Sequence, residues 1–537
     1  PGSARRAKTG ATASAVCARE ARPVLMSAAE YRESLRRYRP AVFVEGRRVE
    51  SVADEPLLRP GIDAIGVTYD LARDPAHAKV MLARQSRRDR QVNRMVHINE
   101  TRDDLLAKLE AVRLVCRESG CAQRYLTHDA LNAIHQATFR LDAEHGTDYH
   151  QRLLAYLERV QDEDLTCGVA MTDAKGDRAK RPHAQEQPLT YVRISERRAD
   201  GVVIAGTKAI VTGAPYVHEL LVMPCRAMTR EDADFAVGCA VTVDAPGVTI
   251  VARPAGRPGV PGAHFSARYG QSTGVVLLEN VLVPWERVFL AGEWAHSGFL
   301  TTTYATHHRH SCIGARAGFG DLLIGAGVLM TEANGLDAAE HGHIRDAMVE
   351  LITIVEGFFA CGVAASVYGR RDPAGNVEPE PVFANIGKLL LASRIYDMHR
   401  LAHYVSGGLV VALPGPAEDH NPETAARLDA VLAGRADIPA AQRLQVARLM
   451  EDLTASYTGG WYSLISLHGG GSPEAMKREI FRRYPLEEKA AFVERLLDRG
   501  LTGDGRARRD RQPGRCCTTG CKGSEAVERP AAEHPVD

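Results

Sequence analysis

The apolar residues of this chain change period twice, and that limits the folds open to it more than any other feature. From Met26 to about residue 165 they recur every three or four positions, as on helices. "TRDDLLAKLEAVRLVCRES", "HDALNAIHQATFRLDAEHG" and "YHQRLLAYLERVQDEDL" carry the pattern, and Thr101 with Asp104 predicts a capping box ahead of the first. Around residue 187 short β-rich runs begin. "LTYVRISERRADGVVIAGTKAIVTGA" holds two of them, split by the hairpin signal Ala199-Asp200-Gly201. "HELLVMPC", "FAVGCAVTVDA", "VTIVARP" and "TGVVLLENVLVP" follow, for roughly six strands, each bounded by Pro, Gly or Asp. After "PWERVFL" the helical period returns and holds to about residue 500, in small-residue-rich segments suited to a bundle. The chain reads as α+β, mainly α: an N-terminal helical domain over 26–165, a central β-domain over 166–290 and a C-terminal helix bundle over 291–502. The flanks, 1–25 and 503–537, have the composition of disordered segments, with the fold expected to begin at Met26.

Charge excludes some functions. Lys plus Arg equals Asp plus Glu at 67 each in 537 residues, so no global field favours nucleic acid or a membrane surface. The longest apolar run, around 347–366, is interrupted by Glu350 and Glu356, and no membrane span is expected. Eleven scattered cysteines, an odd number in a large chain, predict a reduced, cytoplasmic protein. Cys516, Cys517 and Cys521 lack the second CxxC of a zinc knuckle.

One stretch asks for a ligand. "AMTDAKGDRAKRP" places Asp173, Lys175, Asp177 and Arg178 together just before the strands begin. Taken alone the segment is a solvated turn or a grip for an anion: Lys175 and Arg178 supply charge, and Gly176 permits close backbone approach.

The order of further motifs carries a resemblance. "LLRPGIDAIGVTYDLARDP", "AMTDAKGDR", "GTKAIVTGAPYVHE", "ENVLVPWERVFL", "SGGLVVALP" and "HGGGSP" occur in sequence between about Met26 and Arg499. In this the chain resembles the 4-hydroxyphenylacetate 3-hydroxylase and 4-hydroxybutyryl-CoA dehydratase flavoproteins, which share the acyl-CoA dehydrogenase-like fold. The MTD-x-KGDR form of the loop is that of the dehydratase branch. The resemblance implies that FAD is held by Met171, Thr172, Asp173, Lys175, Gly176, Asp177 and Arg178, and by Ile210, Val211, Thr212 and Gly213. It implies that glycine turns at Gly407-Gly408 and Gly469-Gly470-Gly471 approach the cofactor, and that the protein is a homotetramer.

Departures from the dehydratase pattern bear on the chemistry. That branch holds a [4Fe–4S] cluster on three cysteines and one histidine. Cys121 and His308 fill two of those positions, but Tyr125 and Ala315 occupy the other two, and neither supplies a thiolate. Thr273 and Ile465 stand where it has glutamates, Cys312 where it has a tyrosine and Arg316 where it has a lysine. An iron–sulfur cluster is therefore not expected, although a rearranged Cys116/Cys121/His308/Cys312 set offers an alternative. The hydroxylase branch needs no metal and takes reduced flavin (FADH2) from a separate reductase. Its phenol-binding positions, however, fall here on Leu126, Ala130 and Val169. His308, Arg309 and His310 remain to bind or protonate something polar, with His308 as the acid/base and Gln123 orienting the substrate. No GxGxxG follows a strand, which fits reduction by a partner. The expectation is an FAD-dependent, two-component monooxygenase acting on a small organic or thioester substrate. A dehydratase- or isomerase-like lyase and a scaffold without catalysis are the alternatives.

Overall fold

The computed structural model describes residues 25–498. Residues 1–24 of the segment 1–25 expected to be disordered, all of 503–537 and the cysteine trio of the tail lie outside the described residues. Capping fixes the first helices. Ser27 and Glu30 close a capping box on α1 (Ala28–Ser34), which packs on α2 (Arg59–Arg73). Thr101 and Asp104 form the expected box on α3 (Arg102–Ser119), worth about 1 kcal/mol for the Thr101 cap. Then come α4 (Tyr125–His145) and α5 (Tyr149–Asp162).

The N-terminal segment is not purely helical. β1 (Ala41–Val44) turns through Glu45-Gly46 into β2 (Arg47–Arg48), and β1 runs parallel to a strand of the central domain. Residues 166–291 contribute eight strands rather than six: β3 (Cys167–Ala170), β4 (Arg193–Arg198), β5 (Gly201–Thr212), β6 (Glu219–Val222), β7 (Val237–Thr242), β8 (Val248–Ala252), β9 (Thr273–Pro284) and β10 (Val288–Ala291). They form a six-stranded sheet in the order β2-β1-β8-β9-β5-β4 and a four-stranded sheet in the order β10-β7-β6-β3. β5 and β9 are antiparallel with Thr212 opposite Thr273, so the last residue of one strand and the first of the other meet at one end of the pair.

The bundle contains α6 (Trp294–Ala333), α7 (Gly342–Val367), α8 (Pro381–Ser406), α9 (Ala440–Thr454), α10 (Tyr457–His468) and α11 (Pro473–Arg483). α6 packs along α3, α4, α7 and α8 and so ties the N-terminal helices to the bundle. Contrary to the sequence expectation, α6 and α7 are long and apolar enough to cross a membrane, because each holds an apolar window with no more than two charges. In α6 that window is 67% buried inside the protein, as suits a core helix; in α7 it is 39% buried.

Candidate functional site

The loop after β3 is pinned by a buried ion pair. Asp173 meets Lys208 Nζ on β5 at 2.7 Å, with both side chains almost fully buried. Val192 N donates to Asp173 at 3.0 Å, and Lys208 donates to the Met171 carbonyl at 3.0 Å. Ala209 N donates to the Thr172 carbonyl at 2.8 Å. Asp173 is thus committed to docking the loop on β5, just ahead of Ile210–Gly213. The chain then turns through Lys175 (φ 71°) and Gly176 (φ 53°). A Cβ at Gly176 would lie 2.4 Å from Gln185 Oε1, which accepts from Asp177 N. Asp177 closes the turn by accepting from Ala179 N at 3.0 Å. Lys175 and Arg178 have no side-chain partner among the described residues, and Arg178 is exposed. These two cations are free to meet an anion.

At the end of β5, Ile210 is exposed, Val211 is buried and Gly213 (φ 77°) turns the chain. Thr212 borders a cavity of about 40 Å³ together with Gln123, Tyr125, His308, Cys312, Arg316 and Lys388. The structure therefore brings Thr212, Gln123 and His308 together, while the 171–178 loop lies outside this lining. A larger cavity of about 480 Å³, lined in part by Arg87, His135 and Arg371, holds none of the expected residues.

Each wall has a reason for its place. Gln123 follows the α3 C-cap Gly120 (φ 70°), where a Cβ would lie 2.2 Å from Tyr462 Oη. Next to it, fully buried Arg124 bonds Asp164 at 2.5 Å and stacks 3.8 Å from the centre of Tyr69. Gln271 donates to the Cys121 carbonyl, which fastens the β-domain to this turn. The Gln123 Oε1 and Arg316 Nη1 atoms are buried without a partner.

His308 is held on three sides. Its ring lies between Tyr304 and Tyr125, near-parallel to both, at centroid distances of 5.4 and 6.2 Å. Nδ1 donates to Asp129 Oδ2 at 3.2 Å, and Nε2 faces Cys312 Sγ at 3.5 Å. Asp129 is itself buried, accepting from Ser311 Oγ at 2.6 Å and pairing with Lys108 Nζ at 3.5 Å. Burial opposes the charged imidazole, yet Cys312 and Asp129 outweigh it and lift the His308 pKa to about 9. Burial likewise opposes the Cys312 thiolate, and His308 overcomes it, so the thiol pKa is lowered. Lys388, which donates to the Ser466 carbonyl at 2.6 Å, is brought down by burial to about 8. A hydrogen bond from Cys116, helped by Arg316, lowers Cys121 to about 6.

The other two candidates, Arg309 and His310, turn away. His310 bonds Ser366 at 2.8 Å and the Gly362 carbonyl at 3.1 Å, holding α6 against α7. Arg309 donates to the Gly470 carbonyl at 2.9 Å and to Asn385 at 2.6 Å, so it clamps the glycine turn. Of the rearranged cluster set, Cys116 neighbours Cys121, and Cys312 Sγ lies 3.5 Å from His308. Among the described residues, the one trio of His, Cys, Asp or Glu whose ligand atoms all lie within 4.8 Å is Glu144, His145 and His296.

The family model for the N-terminal part of 4-hydroxyphenylacetate 3-hydroxylase matches residues 27–290, and the model for its C-terminal part matches 297–498. The chain belongs to this family. It is similar to the 4-hydroxybutyryl-CoA dehydratase/vinylacetyl-CoA-Δ-isomerase of Clostridium aminobutyricum, with 34% identity over 88% of this chain and 99% of that protein. The oxygenase component of 4-hydroxyphenylacetate 3-monooxygenase from Thermus thermophilus is 25% identical over 88% and 97%. Among solved structures, an oxygen-tolerant 4-hydroxybutyryl-CoA dehydratase from N. maritimus superposes with a TM-score of 0.85 at 33% identity, over 91% of this chain and 98% of that one. An HpaB oxygenase component complexed with FAD and 4-hydroxyphenylacetate gives 0.78 at 22%, a likeness of fold. The fold is the acyl-CoA dehydrogenase-like one of helices, β-domain and bundle.

Within this family fold, Asp129, Tyr304 and Lys388 are site residues that sequence reasoning missed. Lys388 was signalled by a lone cation in the apolar run "NIGKLLL". Asp129 carried no signal, since its partners come from α3 and α6.

Proposed function

We propose that this chain is an FAD-dependent oxidoreductase, a two-component monooxygenase that uses flavin reduced by a separate reductase. Family membership over nearly the whole described chain supports the flavin. The observation that carries the reading is the seam between the β5 end and the bundle, where Gln123 Oε1 and Arg316 Nη1 are buried and unpartnered beside Thr212. Such orphaned groups are what a polar ring edge would satisfy. Thr212 and Gln123 would hold the flavin ring edge, and Lys175 and Arg178 its phosphates. Bound reduced FAD supplies two electrons and the capacity to activate oxygen. The protein keeps a proton on His308 near neutral pH, through Cys312 and Asp129, and presents it at the cavity wall. Tyr125, Leu126, Leu391 and Ile465 limit water at that wall. Arg316 and Lys388 favour a small substrate with an anionic or carbonyl group, free or carrier-bound.

The second reading is a dehydratase- or isomerase-like lyase, favoured by the higher identity to the Clostridium protein. Tyr125 and Ala315 stand against it, at positions where the resemblance puts cluster cysteines. Purified protein given FAD, NADH and a flavin reductase should consume oxygen, and should contain no stoichiometric iron or sulfide. Anaerobic acyl-CoA turnover with about four irons per chain would replace the first reading with the second. Exposed apolar side chains on α7, α8 and α10, among them Val349, Ile352, Tyr396 and Leu464, support a homotetramer, which light scattering tests. The free thiols of all seven described cysteines support a reducing, cytoplasmic location.

A further inference from the structure

One thiol in the cavity has no place in that reading. α6 sets Cys312 one turn after His308, with Sγ 3.5 Å from Nε2, while Nδ1 of the same ring bonds Asp129 at 3.2 Å. Tyr125 and Tyr304 fix the ring plane, and Ser311 and Lys108 fix the carboxylate. A nucleophile, a base and a group that orients the base stand in line, the arrangement that activates a thiol. Both Cys312 and His308 line the cavity, so the sulfur is reachable from it.

We propose that Cys312 is a peroxide-reactive nucleophile, oxidised to a sulfenic acid by hydrogen peroxide, with His308 as its proton partner and Asp129 as a positioning residue. Size selects the reagent. At roughly 10–15 Å³ per water, a cavity of about 40 Å³ admits about three waters. That accommodates the two oxygens of peroxide with the wall as it stands. The sulfur attacks one peroxide oxygen; the S–O bond forms and the O–O bond breaks. Sulfur loses two electrons, and the departing hydroxide gains them and takes the His308 proton to leave as water. His308 then returns as neutral imidazole on Asp129. Reduced flavin that meets oxygen without hydroxylating a substrate releases hydrogen peroxide beside this wall, and only this source of peroxide rests on the flavin reading. Cys116 and Cys121 form a neighbouring thiol pair, and the pKa of Cys121 is also low. Cys121, though, faces a tyrosine hydroxyl and has no base. The site of first oxidation therefore discriminates.

The test uses the full chain free of FAD, reduced and then freed of reductant. It is exposed to hydrogen peroxide with dimedone, a cyclic 1,3-diketone that traps sulfenic acids, and the adduct is placed by peptide mass spectrometry. An ordinary thiol is only a few per cent thiolate at pH 7, so Cys312 should be trapped first and about ten-fold faster than in the urea-unfolded chain. Cys312→Ser should abolish that adduct and leave those on other cysteines unchanged. Asp129→Asn should slow trapping about ten-fold. First trapping at Cys116 or Cys121, or a Cys312 rate equal to that of the unfolded chain, overturns the proposal on wild-type protein alone. Because no flavin is present, failure to bind FAD leaves the outcome unaffected.

Discussion

Asp129→Asn perturbs the site with the least change of shape, since the amide keeps the volume and removes the charge. Two consequences follow from the geometry. Lys108 is fully buried and pairs with this carboxylate, and stripping a buried charge of its partner costs on the order of 3–5 kcal/mol. At ~2.1 cal/mol/K per residue, the melting entropy of a chain this long is about 1 kcal/mol/K, so the melting temperature should fall by roughly 3–5 °C. His308 is the second. Its folded pKa of about 9 exceeds the ordinary value of 6.5. Its contribution to stability is therefore complete below 6.5 and is lost as pH rises through about 9. Without the carboxylate that pKa should drop by about 1–3 units, each worth about 1.4 kcal/mol. Cys121 works the other way in the same window. Its folded pKa is lowered to about 6, so its contribution is present above the ordinary value of 9 and is lost as pH falls through about 6. The raw curve is thus a sum; the difference between wild type and variant removes Cys121 and leaves His308 together with Lys108, whose burial-lowered pKa the same carboxylate holds up. Thermal melts from pH 6 to 9 should show a deficit that is largest at pH 6 and shrinks by about 1–4 °C toward pH 9. A deficit independent of pH, or none, would refute the coupling of His308 to Asp129.

Arg178→Ala and Thr212→Val should each weaken FAD binding, measured by quenching of flavin fluorescence, with unchanged circular dichroism; unaltered affinity in both removes the flavin assignment. Lys208→Met leaves Asp173 buried and unpaired, so a loss of about 3–5 kcal/mol is expected, read as a melting temperature about 3–5 °C lower. Gly470→Ala puts a side chain at φ 78°, 3.4 Å from His308 Cδ2, and should cost about 1–2 kcal/mol. It should also slow oxygen uptake, and wild-type rates in the variant would show that the glycine turn does not shape the site.

The sequence by itself determined the layers of this protein. Helical and strand periods are local properties, and so are the capping signal at Thr101 and the hairpin at Ala199-Asp200-Gly201; each is written within a few residues and reappears in the structure. It also marked Thr212, Gln123 and His308. Only the tertiary structure decided what those residues meet. β1 reads as an isolated "AVFV" until its parallel partner, some 200 positions on, gives it a sheet. Asp173 reads as part of a ligand-gripping loop until Lys208 claims it. Asp129, Lys108, Ser311, His308 and Cys312 come from three helices, and none of their spacings predicts that one carboxylate will orient the histidine beside the thiol. The cause is electrostatic: a charge is invisible to local pattern, and its partner is chosen by burial, which only packing defines.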